Sequence, residues 1–136
     1  MSAESTEPYF HFSATLRIHG DGLDFDAITR AMGLRPIHTH KKGASRRPGG
    51  HPYRDDAWHY SADLPETAPL DAHLQELWAD VAPAREFLLS LKSRYRADVL
   101  CAYRSDSDRA GFQVGSKSLA IFTALEIPFG VSVIIA

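Results

Sequence analysis

From Tyr9 to His19 the chain alternates between apolar and polar positions. Phe10, Phe12, Ala14, Leu16 and Ile18 share one side; His11, Ser13, Thr15, Arg17 and His19 share the other. A period of two predicts a half-buried strand, which Gly20-Asp21-Gly22 ends. Asp24 then suits the N-cap of a helix running to Met32, because its carboxylate can accept the orphan backbone N–H groups there. Phe25, Ile28 and Met32 line one stripe of that helix. Gly33 fits the left-handed position after the last turn, and Pro36 cannot continue the helix.

Residues 37–56 show no period. Gly43, Pro48, Gly49, Gly50 and Pro52 interrupt both helix and strand, so a long loop is expected. Alternation returns from Ala57 to Asp63, with Trp58, Tyr60 and Ala62 opposite His59, Ser61 and Asp63. Leu64 to Pro69 is a turn. Leu70 to Tyr95 carries the longest helical signal: Leu70, Leu74, Leu77, Trp78 and Val81, then Phe87, Leu88 and Leu91. Pro83 must kink or divide it. A third strand is expected over Ala97 to Arg104, then a polar turn from Ser105 to Ala110 and an extended approach at Gly111 to Gly115. A helix follows from Ser116 to Glu126, and Pro128 leads into a last strand, Phe129 to Ile135.

The order strand, helix, strand, helix, strand, helix, strand predicts a single α+β domain over residues 9–136, preceded by a flexible tail, 1–8. The expected architecture is a sandwich with helices on one face of an about four-stranded, mainly antiparallel sheet. It is ferredoxin-like, with the long helix inserted between two β-α-β halves.

Composition narrows the function. The 136 residues are 44% hydrophobic and 24% charged, with net charge -2, so there is no global case for nucleic acid or an anionic membrane surface. No apolar run approaches the ~20 residues of a membrane span. MSAESTEP lacks the basic and apolar regions of a secretory leader. The one cysteine, Cys101, excludes an intrachain disulfide and is compatible with a reducing cytoplasm, the expected location.

The pattern of a helix ending in Gly33-Leu34-x-Pro36, then Lys42-Gly43, Trp58-x-Tyr60, a Leu-rich helix and a C-terminal helix and strand resembles the small bacterial domain-of-unknown-function family four-two-seven-nine. The likeness runs from about Phe10 to Ile135. It implies a stand-alone bacterial domain and brings no activity, cofactor or catalytic residue.

The candidate chemistry concentrates in the loop. Arg35, Lys41, Lys42, Arg46, Arg47 and Arg54 lie between Asp26 and Asp55 with no acid among them. Such cations attract phosphate or carboxylate, and the glycines let backbone N–H groups approach an anion. The segment is not a P-loop, because it leads into a strand and lacks the glycine-lysine pattern. Trp58 and Tyr60 beside it are able to stack on a ring, although packing against the long helix accounts for both.

His38-x-His40 would put two imidazoles on one side of an extended segment. His51, His59, Asp55 and Asp56 would be further ligands. However, no H-E-x-x-H or C-x-x-C framework is present and the nearby cations oppose a metal, so neither metal nor cofactor is expected. Cys101 sits in an apolar strand as filler, there is no nucleophile elbow, and Asp106 and Asp108 read as turn-formers.

The preferred reading is a non-enzymatic binding module. Arg35, Lys41, Lys42, Arg46, Arg47, Arg54 and Trp58 would contact an acidic protein or small anionic ligand. The competing reading is an enzyme on a phosphorylated or nucleotide-like substrate, with Arg35 and Lys42 as phosphate clamps and His38 or His40 as general acid/base. A homodimer through the edge of the apolar C-terminal strand is a further expectation.

Overall fold

The alternation at the N-terminus becomes the centre of the sheet. A computed structural model describes residues 10–107 and 111–135. Its elements are β1 (Phe10–Gly20), α1 (Phe25–Met32), β2 (His38–His40), β3 (Asp56–Tyr60), α2 (Leu70–Val81), a 3-10 turn (Ala82–Ala84), α3 (Arg85–Leu91), β4 (Arg96–Ser105), α4 (Ala120–Leu125) and β5 (Val131–Ile135). Tyr9 at the start of the expected first strand, and Asp108 to Ala110 in the expected polar turn, lie outside the described residues. Among those described, no helix is long and apolar enough to cross a membrane.

The sheet order is β2-β3-β1-β4-β5. β1 is antiparallel to β3 and β4, β2 is antiparallel to β3, and β5 is parallel to β4. The class is α+β and the sheet is mainly antiparallel, as expected, but it has five strands rather than about four, and one neighbouring pair, β4 and β5, is parallel. The extra strand is β2, whose three residues are too few for a period to reveal. The parallel pair arises because α4 carries the chain across from the end of β4 to the start of β5.

The long aperiodic stretch expected over residues 37–56 carries β2 near its start and is ordered beyond it. After β2 the chain forms an ordered hairpin. Gly43 N–H donates to Tyr53 O at 3.0 Å, Tyr53 N–H donates to Ala44 O at 2.8 Å, and Gly50 N–H closes the tip onto Arg47 O at 3.0 Å.

The two faces of β1 have separate fates. Phe12, Ala14, Leu16 and Ile18 are buried, together with Trp58 of β3 and Val99, Cys101 and Tyr103 of β4. Against them pack Ile28 and Met32 of α1, Leu70, Leu74, Leu77 and Val81 of α2, Leu88 of α3, and Ile121 and Leu125 of α4. Burial also lifts the Cys101 thiol to about 11, which leaves it as an inert apolar filler.

The capping chemistry of α1 is as expected. Asp24 Oδ1 accepts the Ala27 N–H at 3.0 Å, and Gly33 at φ 67° returns its N–H to Thr29 O. Pro83 divides the long helix into α2 and α3 through the 3-10 turn. The last helix starts at Ala120 rather than Ser116, because residues 116–119 form a tighter turn in which Leu119 N–H reaches Ser116 O. It ends on Glu126 at φ 57°, a left-handed position without glycine. Lys92 Nζ donates to the carbonyls of Leu125 and Glu126 at 3.0 Å each, satisfying that helix end.

One buried carboxylate fixes the hairpin to the sheet. Asp56 Oδ2 accepts the N–H groups of Gly22 and Leu23 at 3.0 Å each, and Oδ1 accepts that of Lys42 at 2.8 Å. The Lys42 N–H is the main cause holding the Asp56 carboxyl below its ordinary 3.8; burial opposes it, and the Leu23 and Gly22 N–H groups add to it.

Two predictions follow from these local features. Asp56→Ala leaves three donors without their anion and should cost about 2–4 kcal/mol in urea unfolding, with Asp56→Asn losing less. A depressed carboxyl contributes stability that is complete above its unfolded pKa and lost as pH falls through the folded one. Stability should therefore drop below about pH 4 in wild type, and the Asp56→Asn protein should show a shallower drop. Separately, Glu126→Gly relieves the left-handed side-chain penalty and should raise stability by roughly 0.5–1 kcal/mol, measured as a higher denaturant midpoint at unchanged slope.

Candidate functional site

The face of the sheet away from the helices carries most of the chemistry. Registers across four strands place His38, His59, Arg17 and Asp98 in one transverse row, and His40, Ala57, His19 and Arg96 in the next. In the second row Ala57 offers only a methyl group between longer neighbours. A depression of about 210 Å³ results, lined by Arg17, His19, His40, Arg54, Asp55, Ala57 and His59.

Charges within and beside this depression pair off unevenly. Arg17 makes a bidentate contact with Asp98, Nε to Oδ1 at 2.8 Å and Nη2 to Oδ2 at 2.9 Å. Burial pushes the Asp98 carboxyl up, but the Arg17 hydrogen bonds and charge, with His19 nearby, outweigh it and hold the carboxyl below its ordinary value. Asp55 is paired with Arg96, whose Nη2 also reaches His19 Nδ1 at 3.2 Å. Among the described residues no carboxylate pairs with Arg54.

Two of the imidazoles at this face, His59 and His40, are pushed toward the neutral form. Burial is the main cause bringing His59 down to about 4, aided by His38, Arg17, His40 and His19. His40 is lowered by burial and by His38, against the raising effect of Asp56 and Asp55. His38 Nε2 lies 2.9 Å from His40 Nδ1, and Tyr53 of the hairpin stacks on the His40 ring at 3.5 Å between centroids, 6° from parallel.

The sequence-predicted set is dispersed by this geometry. Arg35 is exposed on the α1–β2 turn. Lys41 Nζ sits 5.3 Å over the Phe25 ring, and Lys42 Nζ is 3.6 Å from Asp21 in an exposed pair. Arg46 and Arg47 flank the hairpin tip with His51. Of the six cations only Arg54 lines the depression. Trp58 is corrected outright as a contact residue: it is 0% exposed, and its indole N–H donates to Thr29 Oγ1 at 3.1 Å.

Arg17, His19, Arg96 and Asp98 are not marked as a site in the sequence, and Asp55 enters it only as a candidate metal ligand. The available signal was the polar side of β1, where Arg17 and His19 stand out from the hydroxyl residues, but only the strand register shows what they face.

No curated protein and no solved structure matches the chain. One family does, described as Domain of unknown function (DUF4279), over residues 8–135, and the chain belongs to that family.

Proposed function

We propose that this chain is a binding module that holds an anionic group of a protein or small ligand on the open face of its sheet, in the depression floored by Ala57. One observation carries the reading. Arg17 is matched by Asp98 and Asp55 by Arg96, which leaves Arg54 as the uncompensated charge beside neutral His40 and His59. A guanidinium without a carboxylate partner, exposed at the rim of a concave place, is suited to carboxylate or phosphate oxygens. The role assigned to the loop thus narrows to its last cation. Arg46 and Arg47 at the tip would steer acidic partners at long range rather than grip them.

The enzymatic alternative draws less support. His40 lies in the depression, but Arg35 and Lys42, the intended phosphate clamps, do not line it. About 210 Å³ is also below the ~300–1,000 Å³ usual for small-molecule sites, so a single oxyanion head group fits the space better than a whole substrate. For the architecture we propose that β1 to β4 form a ferredoxin-like core extended by β5. The order β2-β3-β1-β4 with antiparallel neighbours supports this.

The test is an NMR titration with hexaglutamate peptide and, separately, inorganic phosphate, in a chelator-containing buffer. The expected result is saturable shifts at the Arg54, Ala57 and His59 amides. Arg54→Ala and the pocket-filling Ala57→Leu should each weaken binding about tenfold or more, and Arg46→Ala/Arg47→Ala should change it less than about threefold at moderate salt. Shifts confined to residues 46–51, or none with either probe up to millimolar concentration, would reject the reading.

A further inference from the structure

At the β2 edge of the same face three histidines stand together. His38 and His40 are two residues apart on β2 and so point the same way. His59 is directly opposite His38 on β3. Their ring centroids form a near-regular triangle: 5.1 Å between His38 and His40, 5.3 Å between His38 and His59, and 6.0 Å between His40 and His59. Imidazoles bound to one tetrahedral ion at ~2.0–2.1 Å place their ring centres about 5 Å apart. The His38 Nε2 to His40 Nδ1 separation of 2.9 Å is a few tenths short of the ~3.3 Å between two such donor atoms.

We propose that His38, His40 and His59 form a site for a divalent transition metal of the imidazole-binding class, zinc being the reference ion. Among the described residues no group of three such side chains is arranged to hold a metal ion as it stands. The site therefore completes by a turn of the His59 ring toward the preformed pair, at the cost of the hydrogen bond between His38 and His40.

The surroundings support this occupant. The Tyr53 ring and the backbone carbonyl of Asp55 hold the His40 ring from outside, the supporting role that outer groups play around metal-bound imidazoles. All three rings belong to a sheet edge anchored through Asp56, so little backbone ordering remains for the metal to impose. Of the two arginines that line the depression, Arg17 is matched by Asp98, and Arg54 is the one unmatched positive charge that opposes a cation there. Three imidazoles leave a fourth position open on the solvent side, the arrangement of a site that keeps a water or an exchangeable anion.

The experiment uses tag-free protein in buffer without phosphate or carboxylate, titrated calorimetrically with ZnCl₂ and spectroscopically with CoCl₂. The expected result is one equivalent bound, with Co²⁺ giving the intense visible absorption of a four-coordinate ion. His38→Ala, His40→Ala and His59→Ala should each lose at least about tenfold in affinity, while His51→Ala at the hairpin tip should keep it. Circular dichroism of each variant separates ligand loss from unfolding. Absence of saturable zinc binding below millimolar would overturn the site. So would full retention in folded His59→Ala, or loss only in His51→Ala. The anion titration is run in chelator and this one without anions, so either reading fails without the other.

Discussion

The position of the open face depends on the Asp56 carboxylate. It gathers the backbone N–H groups of Gly22 and Leu23 from the β1–α1 turn and that of Lys42 just before the hairpin, all within 3.0 Å. No helix end or sheet ladder supplies partners for these donors, and leaving them unpaired in a buried place would cost more than the bonds return. Because Asp56 is also the first residue of β3, the bonds set where β3 begins against β1. A slip of one residue would turn Ala57 and His59 into the core and Trp58 out to solvent. The apolar core forbids that slip, and Asp56 forbids it from the other side of the chain.

Once the register is set, the rows across the sheet follow without further design. Ala57 stands between His19 and His40 because of its pairings with both neighbouring strands. The hollow is therefore a property of four strands at once. The charges around it are matched through contacts from different parts of the chain: Arg17 with Asp98, Arg96 with Asp55. Arg54 is the exception, and it lies on the last turn of the hairpin before β3, where its backbone is held only a residue or two away from Asp56.

Local patterns were legible and long-range ones were not. The alternation in β1 named both of its faces, the Asp24 and Gly33 caps bounded α1, and Pro83 divided the long helix, because each rests on chemistry within a few residues. β2 was hidden because His38-Thr39-His40 is too short for a period and owes its extension to pairing with β3. Glu126 concealed a helix stop that glycine would have announced; Lys92, more than thirty residues away, helps hold that end. The six loop cations looked like one patch in a linear reading. The hairpin sends them in different directions, since its two strands carry residues to opposite ends and opposite sides. The sequence neighbours of Trp58 point to a contact surface, while its parity with Ile18, its partner in register, puts it in the core.

The division of labour between the two faces explains how a small domain can carry so many charged and titratable groups on its central strands. The helix-facing residues Leu16, Ile18 and Trp58 have no exposure, so shortening any of them removes transfer energy and leaves a cavity. One position along, Arg17, His19 and His59 are half-buried; Arg17 and His19 make polar contacts with Asp98, Asp55 and Arg96, and the His59 ring lies against His38 and His40. Each of these contacts contributes about a kilocalorie per mole or less in such partly wet surroundings. The open face is therefore cheap to alter for stability. Its imidazoles and arginines are not what holds the fold together, a role that falls to the helix-facing side of the same strands.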